Sequence, residues 1–243
     1  MLSRHGVDDL ALTTNGQRLA AMAPGLKRAG LHRVNVSLDS LDEKMYAALS
    51  RGGDMRAALQ GIEAAIRCGL APVKINTVLL RGYNDHEVTR LAAWAIERGC
   101  TIRFLELMSI GRARRVFSDL FVSSAEVRAA LEKCFDLTPV VHRRGATSRN
   151  LLAADREGRQ GVVGLISSVT QPFCDGCSRL RLTSTGRLIS CLARGEGRDL
   201  RPLLRSPSSS NIRALREILA EELGRKTGRV SFDTASSMAA IGG

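Results

Sequence analysis

Apolar and polar positions alternate with two different periods over residues 1–110. Stretches of period two at 9–13, 33–39, 73–80 and 101–108 predict strands, and 17–28, 42–49, 55–68 and 85–98 between them predict helices. Strand and helix alternating at this spacing predict βαβ units and an α/β fold with a parallel sheet. Successive strand side chains point to opposite faces. Val34, Val36 and Leu38 therefore share one face, and Asn35, Ser37 and Asp39 the other. Likewise Val73 and Ile75 oppose Lys74 and Asn76, and Leu10 and Leu12 oppose Ala11, Thr13 and Asn15. The fourth strand is mixed, with Arg103 in line with Leu105 and Leu107. Parallel strands covered by helices on both sides read as near-continuous apolar runs. A polar face in three of these strands predicts instead a barrel or half-barrel with a polar concave side and helices outside. The four βα units before residue 110 are too few for a complete eightfold barrel.

Beyond Gly111 the pattern changes. A helix is predicted over 123–134, with Ser123 or Ser124 as its cap and Glu126 in its first turn. Residues 138–192 read as short strands joined by turns, 206–210 as a short disordered stretch, and 211–223 as a helix. A subdomain boundary is placed near residue 110, dividing the chain into 1–110 and 111–243.

Composition narrows the function classes. The 243 residues are 44% apolar and 25% charged, as in ordinary globular proteins. No run approaches the length of a membrane span, and the first residues lead into no signal-peptide core, so a cytoplasmic protein is expected. The formal charge is +12, and 31 of the 36 basic residues are arginine. Nucleic acid would suit that charge. The arginines are dispersed, however, and aromatics are only 4% of the chain, too few for a stacking surface. A small phosphorylated substrate fits the excess better, and neither nucleic acid nor membrane is expected as a partner.

The six cysteines are not equivalent. Cys68, Cys100 and Cys134 stand alone on helical or helix-end segments and read as small buried hydrophobes. The others form Cys174-x2-Cys177-x13-Cys191, where in a cytosolic chain a metal site is favoured over disulfides. Residues 179–183 and 186–190 flank a turn and predict a hairpin that returns Cys191 close to Cys177. Period two puts Cys177, Arg179 and Arg181 on one face, where the guanidiniums can meet anionic oxygens bidentately. Three thiolates suit an iron–sulfur cube with one open iron. Structural zinc wants a fourth ligand, which Cys134 or His142 would have to supply. Cluster, zinc and a metal-free hairpin all remain open on spacing alone.

In chain order, Thr13-Thr14-Asn15-Gly16, Val36-Ser37-Leu38-Asp39, Val73-Lys74-Ile75-Asn76 and Arg103-Phe104-Leu105-Glu106-Leu107-Met108 precede Phe173-Cys174, Cys177-Ser178-Arg179-Leu180-Arg181-Leu182-Thr183, Cys191-Leu192 and Ile241-Gly242-Gly243. This order resembles the radical S-adenosylmethionine GTP 3′,8-cyclases of molybdenum cofactor biosynthesis over nearly the whole chain. The cysteine hairpin followed by a terminal Gly-Gly is its most specific part. The resemblance implies an incomplete (β/α) barrel of radical-SAM type and a C-terminal iron–sulfur subdomain. It implies conversion of GTP to 3′,8-cyclo-7,8-dihydro-GTP, a lyase reaction begun by a radical from S-adenosylmethionine. Matched positions give Thr13, Ser37 and Met108 to S-adenosylmethionine, Lys74, Arg103, Arg179 and Arg181 to GTP, and Cys174, Cys177 and Cys191 to a 4Fe–4S cluster. Gly242 and Gly243 match an accessory tail that enters the active site. The implied protein partners are a second copy of the chain or a complementing N-terminal fragment, and the product passes to cyclic pyranopterin monophosphate synthase.

Each role has a plainer rival. Asn15-Gly16 is a common turn, Ser37 a strand-end hydroxyl bonded to backbone, Met108 a core filler, Lys74 a snorkelling surface residue and the Gly-Gly a frayed end. Two departures also stand out. The family's C-x3-C-x2-C motif and Gly-Gly-Glu-Pro segment are not found in these residues, and the tail reads Ser236-Ser237-Met238 where the family carries an arginine. The expectation is an N-terminally truncated fragment that lacks the first strands and is inactive alone. A split protein, a non-catalytic GTP-binding iron–sulfur paralogue and a zinc-binding structural module are the alternatives.

Overall fold

The computed structural model describes residues 6–141, 145–174, 176–193, 197–205, 208–226 and 233–234. They fall into two compact units. The first is drawn from Met1–Glu106, Phe121–His142 and Ser148–Ile166, the second from Leu107–Leu120, Arg143–Thr147 and Ser167–Gly243.

In the first unit β1 (Ala11–Thr14), β2 (Arg33–Ser37), β3 (Lys74–Val78) and β4 (Thr101–Leu105) alternate with α1 (Leu19–Arg28), α2 (Glu43–Ser50), α3 (Met55–Arg67) and α4 (Val88–Glu97). After β5 (Ser109–Ile110) and α5 (Phe117–Leu120), which belong to the second unit, the chain returns with α6 (Ser124–Leu131), β6 (Asp136–Pro139), β7 (Arg149–Ala154) and β8 (Gln160–Ile166). The result is an open seven-stranded sheet in the order β1-β2-β3-β4-β8-β7-β6. Strands β1 to β4 and β8 are parallel, and β7 and β6 run antiparallel at one edge. The α/β partial-barrel expectation is met.

Val34, Val36, Leu38, Ile75 and Ile102 are wholly buried in the main core, while Asn35, Ser37, Asp39, Lys74, Asn76 and Arg103 are half-buried on the alternate positions. Local sequence fixes the helix starts: Asp42 and Asp54 cap α2 and α3 by accepting the Met45 and Ala57 backbone N–H groups. Gly16 turns the chain out of β1 at φ 80°, where a Cβ would lie 3.0 Å from Val36 Cγ1.

The carboxyl ends of β2 and β3 are tied together by side chains. Thr77 Oγ1 donates to the Leu38 carbonyl at 2.7 Å, and Asp39 accepts the Val78 N–H at 2.9 Å. Asn84 donates to the Asp39 and Val78 carbonyls at 2.7 and 2.9 Å and accepts the Leu80 N–H at 2.7 Å. Asp39 is thus a brace between strands, and burial pushes its carboxyl above the usual range.

Several boundaries differ from the sequence expectation. The chain leaves the first unit after Glu106, close to the expected boundary, but residues 121–142 and 148–166 return to it, so the second unit is not one continuous stretch. The reason lies in the apolar run of β8, which pairs in parallel with β4 and carries β7 and β6 with it. Helix α6 stops at Leu131, which leaves Cys134 exposed rather than buried; Cys100 is buried and Cys68 half-buried. Within the stretch 206–210, expected to be disordered, Ser208 instead caps α8 (Ser209–Gly224) by accepting the Asn211 N–H; 206–207 lie outside the described residues. In the second unit the hairpin pairs only β9 (Arg181–Leu182) with β10 (Arg187–Ile189), and β11 (Arg198–Asp199) completes a three-stranded antiparallel sheet. Helix α7 (Arg201–Arg205) packs on α8, and β12 (Asp233–Thr234) pairs in parallel with β5. No helix among the described residues is long and apolar enough to cross a membrane.

Helix α6 opens on a capping box. Ser123 Oγ accepts the Glu126 N–H, and the Glu126 carboxylate accepts the Ser123 N–H at 2.9 Å and an Arg81 N–H at 2.7 Å. The Ser123 backbone N–H first, then the Arg81 guanidinium and the Ser123 hydroxyl, hold the Glu126 carboxyl down at about 2. A carboxylate whose folded pKa is depressed stabilises fully above its unfolded value and loses that contribution as pH falls through the folded one. Urea midpoints measured from pH 5 to 2 should fall less steeply for Glu126→Gln than for the wild type. Parallel slopes would remove this group from the acid response.

Candidate functional site

Among the described residues, the sequence-predicted polar chemistry gathers at one place in each unit. In the first it is the face of the sheet opposite the wholly buried valines and isoleucines. The strand register sets Asn35 beside Lys74 and Asn76 beside Arg103. Arg103 reaches along this face, its Nε donating to Asn76 Oδ1 at 2.8 Å and its Nη2 to Asn35 Oδ1 at 3.0 Å. Asn35 in turn donates to Thr13 Oγ1 at 3.1 Å. Gly164 on β8, partnered with Arg103, leaves room for that side chain: a Cβ there would run into Ser148 Oγ and lie 3.1 Å from Arg103 Cγ. Burial, and then the charge of Arg33, pull the Arg103 guanidinium down to about 10. Burial, Arg103 and Arg33 likewise depress the Lys74 ammonium. Crowded, partly desolvated cations of this kind are poised to receive an anion.

In the second unit the centre is the segment leading into the hairpin. Cys174, Cys177 and Cys191 are all half-buried, and the Cys177 N–H donates to the Cys174 carbonyl at 3.1 Å. Arg179 turns both Nε and Nη2 onto Cys177 Sγ, at 3.4 and 3.3 Å, while its guanidinium carbon stacks 4.6 Å from the Phe173 ring centroid. Lys226, just beyond α8, donates to the Arg179 carbonyl and stands 3.6 Å from Cys177 Sγ. Burial would push the Cys177 thiol up; the Arg179 backbone N–H, its guanidinium and Lys226 outweigh this and hold it below the ordinary range. Arg181 is depressed by burial first and Arg179 second, with Cys177 and Cys191 acting the other way.

The donor chemistry therefore fits a thiolate-bound metal centre, since a thiol disposed to ionise is what ligation needs. Among the described residues, however, no three His, Cys, Asp or Glu side chains converge as a ligand group. Cys177 and Cys191 share the neighbourhood of Arg181 without closing, with Cys174, into one ligand set.

The other predicted residues divide between the units. Thr13 and Ser37 lie on the first unit's polar face. Met108 lies in the second, packed against Ile110 and Ile189. Gly242, Gly243 and Ser236-Ser237-Met238 are outside the described residues. Sequence reasoning missed the stack of Phe173 on Arg179, the space left by Gly164, and Lys226. An isolated glycine inside a strand is a signal for close approach, but nothing local marks Lys226, 49 residues from Cys177.

Comparison with known proteins shows the family. Residues 1–95 match the Radical SAM superfamily and 100–232 match Molybdenum Cofactor Synthesis C. The chain is 38% identical over 230 residues to a GTP 3′,8-cyclase of Saccharophagus degradans, covering 94% of this chain and 68% of that one. It is 39% identical over 236 residues to one of Paracoccus denitrificans (96% and 67% covered) and 40% over 228 to one of Pelotomaculum thermopropionicum (92% and 68%). It thus spans about two thirds of the length of these relatives. Among solved structures there is a radical SAM methyltransferase from Sphaerobacter thermophilus, 18% identical with a TM-score of 0.38, covering 50% of this chain and 36% of that one. With both parts of the chain matched and this identity sustained along it, the chain belongs to the radical SAM GTP 3′,8-cyclase family of molybdenum cofactor biosynthesis.

Proposed function

We propose that this chain takes part in the GTP 3′,8-cyclase reaction in the cytoplasm, with GTP as substrate and S-adenosylmethionine as co-substrate, upstream of cyclic pyranopterin monophosphate synthase. The reaction removes hydrogen from the ribose C3′ and joins that carbon to guanine C8. Cys174, Cys177 and Cys191 would hold a 4Fe–4S cluster, which when bound supplies an open iron position for a ligand atom of the purine. Arg179 and Arg181 would take phosphate oxygens in the second unit, and Lys74 and Arg103 would do so in the first. Thr13, Ser37 and Met108 are assigned to S-adenosylmethionine, and Gly242 and Gly243 to the accessory tail.

What carries this reading is the bidentate approach of Arg179 to Cys177, with Phe173 beneath the guanidinium. The same arginine would steady Cys177 as a thiolate ligand while the Phe173 ring holds its plane. Arg181 stands among Arg179, Cys177 and Cys191, so a second guanidinium accompanies the sulfurs. Each is a charge-assisted donor worth about 1.5–3 kcal/mol against an anionic oxygen, or roughly a ten- to hundredfold change in affinity. Titration of the anaerobically reconstituted chain should therefore show Arg179→Ala and Arg181→Ala weakening GTP by that factor while guanosine changes little. Equal losses for nucleotide and nucleoside would mean that the arginines only support the hairpin.

A further inference from the structure

We propose that Arg33 is a further phosphate-binding residue of the first unit, and that Asp9 is its resident competitor for the anionic oxygens of the nucleotide. This rests on the reading of Lys74 and Arg103 as GTP contacts and extends it. Arg33 opens β2, two residues before Asn35, so it projects from the same face as Asn35 and the Lys74 beside it. Its guanidinium grips Asp9 with a two-pronged hold, Nε to Oδ1 at 2.9 Å and Nη2 to Oδ2 at 2.7 Å. The Arg33 side chain is 24% exposed and that of Asp9 57%. The cation is thus largely covered and fixed, while its carboxylate partner stands mostly in water.

The electrostatics tie Arg33 to the other two cations. Its charge depresses both Lys74 and Arg103, and the Asp9 carboxylate is in turn held low by Arg33 first and reached by Lys74 as well. Three cations therefore share one face, and an exposed carboxylate occupies the fork of the outermost. A guanidinium fork that donates to two carboxylate oxygens can donate to two phosphate oxygens in the same geometry. Exposed ion pairs contribute little to stability, so Asp9 can yield to an incoming polyphosphate without unfolding the strand edge. A pure strand staple would behave differently: breaking it from either side would have the same consequence.

The test is calorimetric titration of the full chain with GTP and with guanosine. Arg33→Gln should weaken GTP about tenfold and leave guanosine unchanged. Asp9→Asn, which removes the competitor and keeps Arg33, should strengthen GTP about two- to threefold. Asp8→Asn, the same charge change one residue away, should leave GTP unchanged. Losses in the same direction for Arg33→Gln and Asp9→Asn, an unchanged GTP affinity in Arg33→Gln, or equal gains from Asp8→Asn and Asp9→Asn would each overturn the proposal. If Arg33→Gln fails to fold by circular dichroism, the sign of the Asp9→Asn change relative to Asp8→Asn decides alone. Lys74→Gln separates the two levels of inference. A GTP loss there without one in Arg33→Gln sinks only this proposal, whereas no loss in either sinks the nucleotide reading of the polar face.

Discussion

Alanine at any one of Cys174, Cys177 or Cys191 is expected to take iron from about four per chain to near none after anaerobic reconstitution. A cube held by three protein thiolates has no spare ligand, so two remaining sulfurs leave half of its irons without protein anchors. Cys100→Ala provides the contrast, because burial pushes the Cys100 thiol up to about 11 and keeps it protonated inside the core. That variant should retain its iron. The described sulfurs do not already form a ligand group, so ligation has to draw the hairpin segment together, and binding energy goes into ordering it. Reconstituted wild-type chain should accordingly resist limited proteolysis between residues 174 and 191 better than the metal-free chain, and the cysteine variants should not gain that protection. Iron and sulfide analysis with electron paramagnetic resonance of the reduced protein measures the outcome. One zinc per chain in place of iron, or full iron in the variants, would overturn the assignment of the cluster.

Replacing Glu87 by alanine should cost about 3 kcal/mol of folding stability. Glu87 is only 2% exposed, yet its carboxylate accepts from Ser40 Oγ at 2.5 Å, the Leu41 N–H at 3.0 Å and an Arg90 N–H at 2.8 Å. Alanine removes the acceptor of the part-buried Leu41 amide and of the buried Ser40 hydroxyl, whose remaining acceptor is the Asp42 carbonyl at 3.4 Å, and each donor left unpaired costs about 1–3 kcal/mol. Arg90 remains solvated, its side chain 55% exposed, so its own loss adds little. Glu87→Gln keeps the shape and one acceptor oxygen and should cost roughly half as much. Urea denaturation followed by circular dichroism gives both values; a loss under about 1 kcal/mol for the alanine variant would mean that water enters and replaces the carboxylate.

The sheet is legible in the alternation of β2 and β3, because period two fixes which residues share a face whatever the strand's neighbours are. Asn35, Lys74 and Asn76 therefore belong to the polar side on residue pattern alone, and Arg103 joins them through the register of β3 and β4. The strand β8 is legible only as an apolar segment. Nothing local says that Gln160–Ile166 pairs with β4, more than fifty residues earlier, so the return of the chain to the first unit beyond residue 120 is not legible in the residue pattern. The same limit hides Lys226, which meets Cys177 only through the path of α8. Around the cysteines, period two aligns Arg179 with Cys177, and that guanidinium does contact the sulfur. What spacing cannot supply is the approach of the sulfurs to one another, which depends on backbone closure rather than on residue type.

The two amides that hold Arg103 have a thermodynamic consequence. Most long basic side chains sweep through many rotamers until a ligand arrests them, and the arrest subtracts from affinity. Asn35 and Asn76 have already frozen this one, so an anion arriving at its free edge meets a fixed heading rather than a mobile charge. Lysine at position 103 would carry the same sign of charge with neither the second anchor nor the direction.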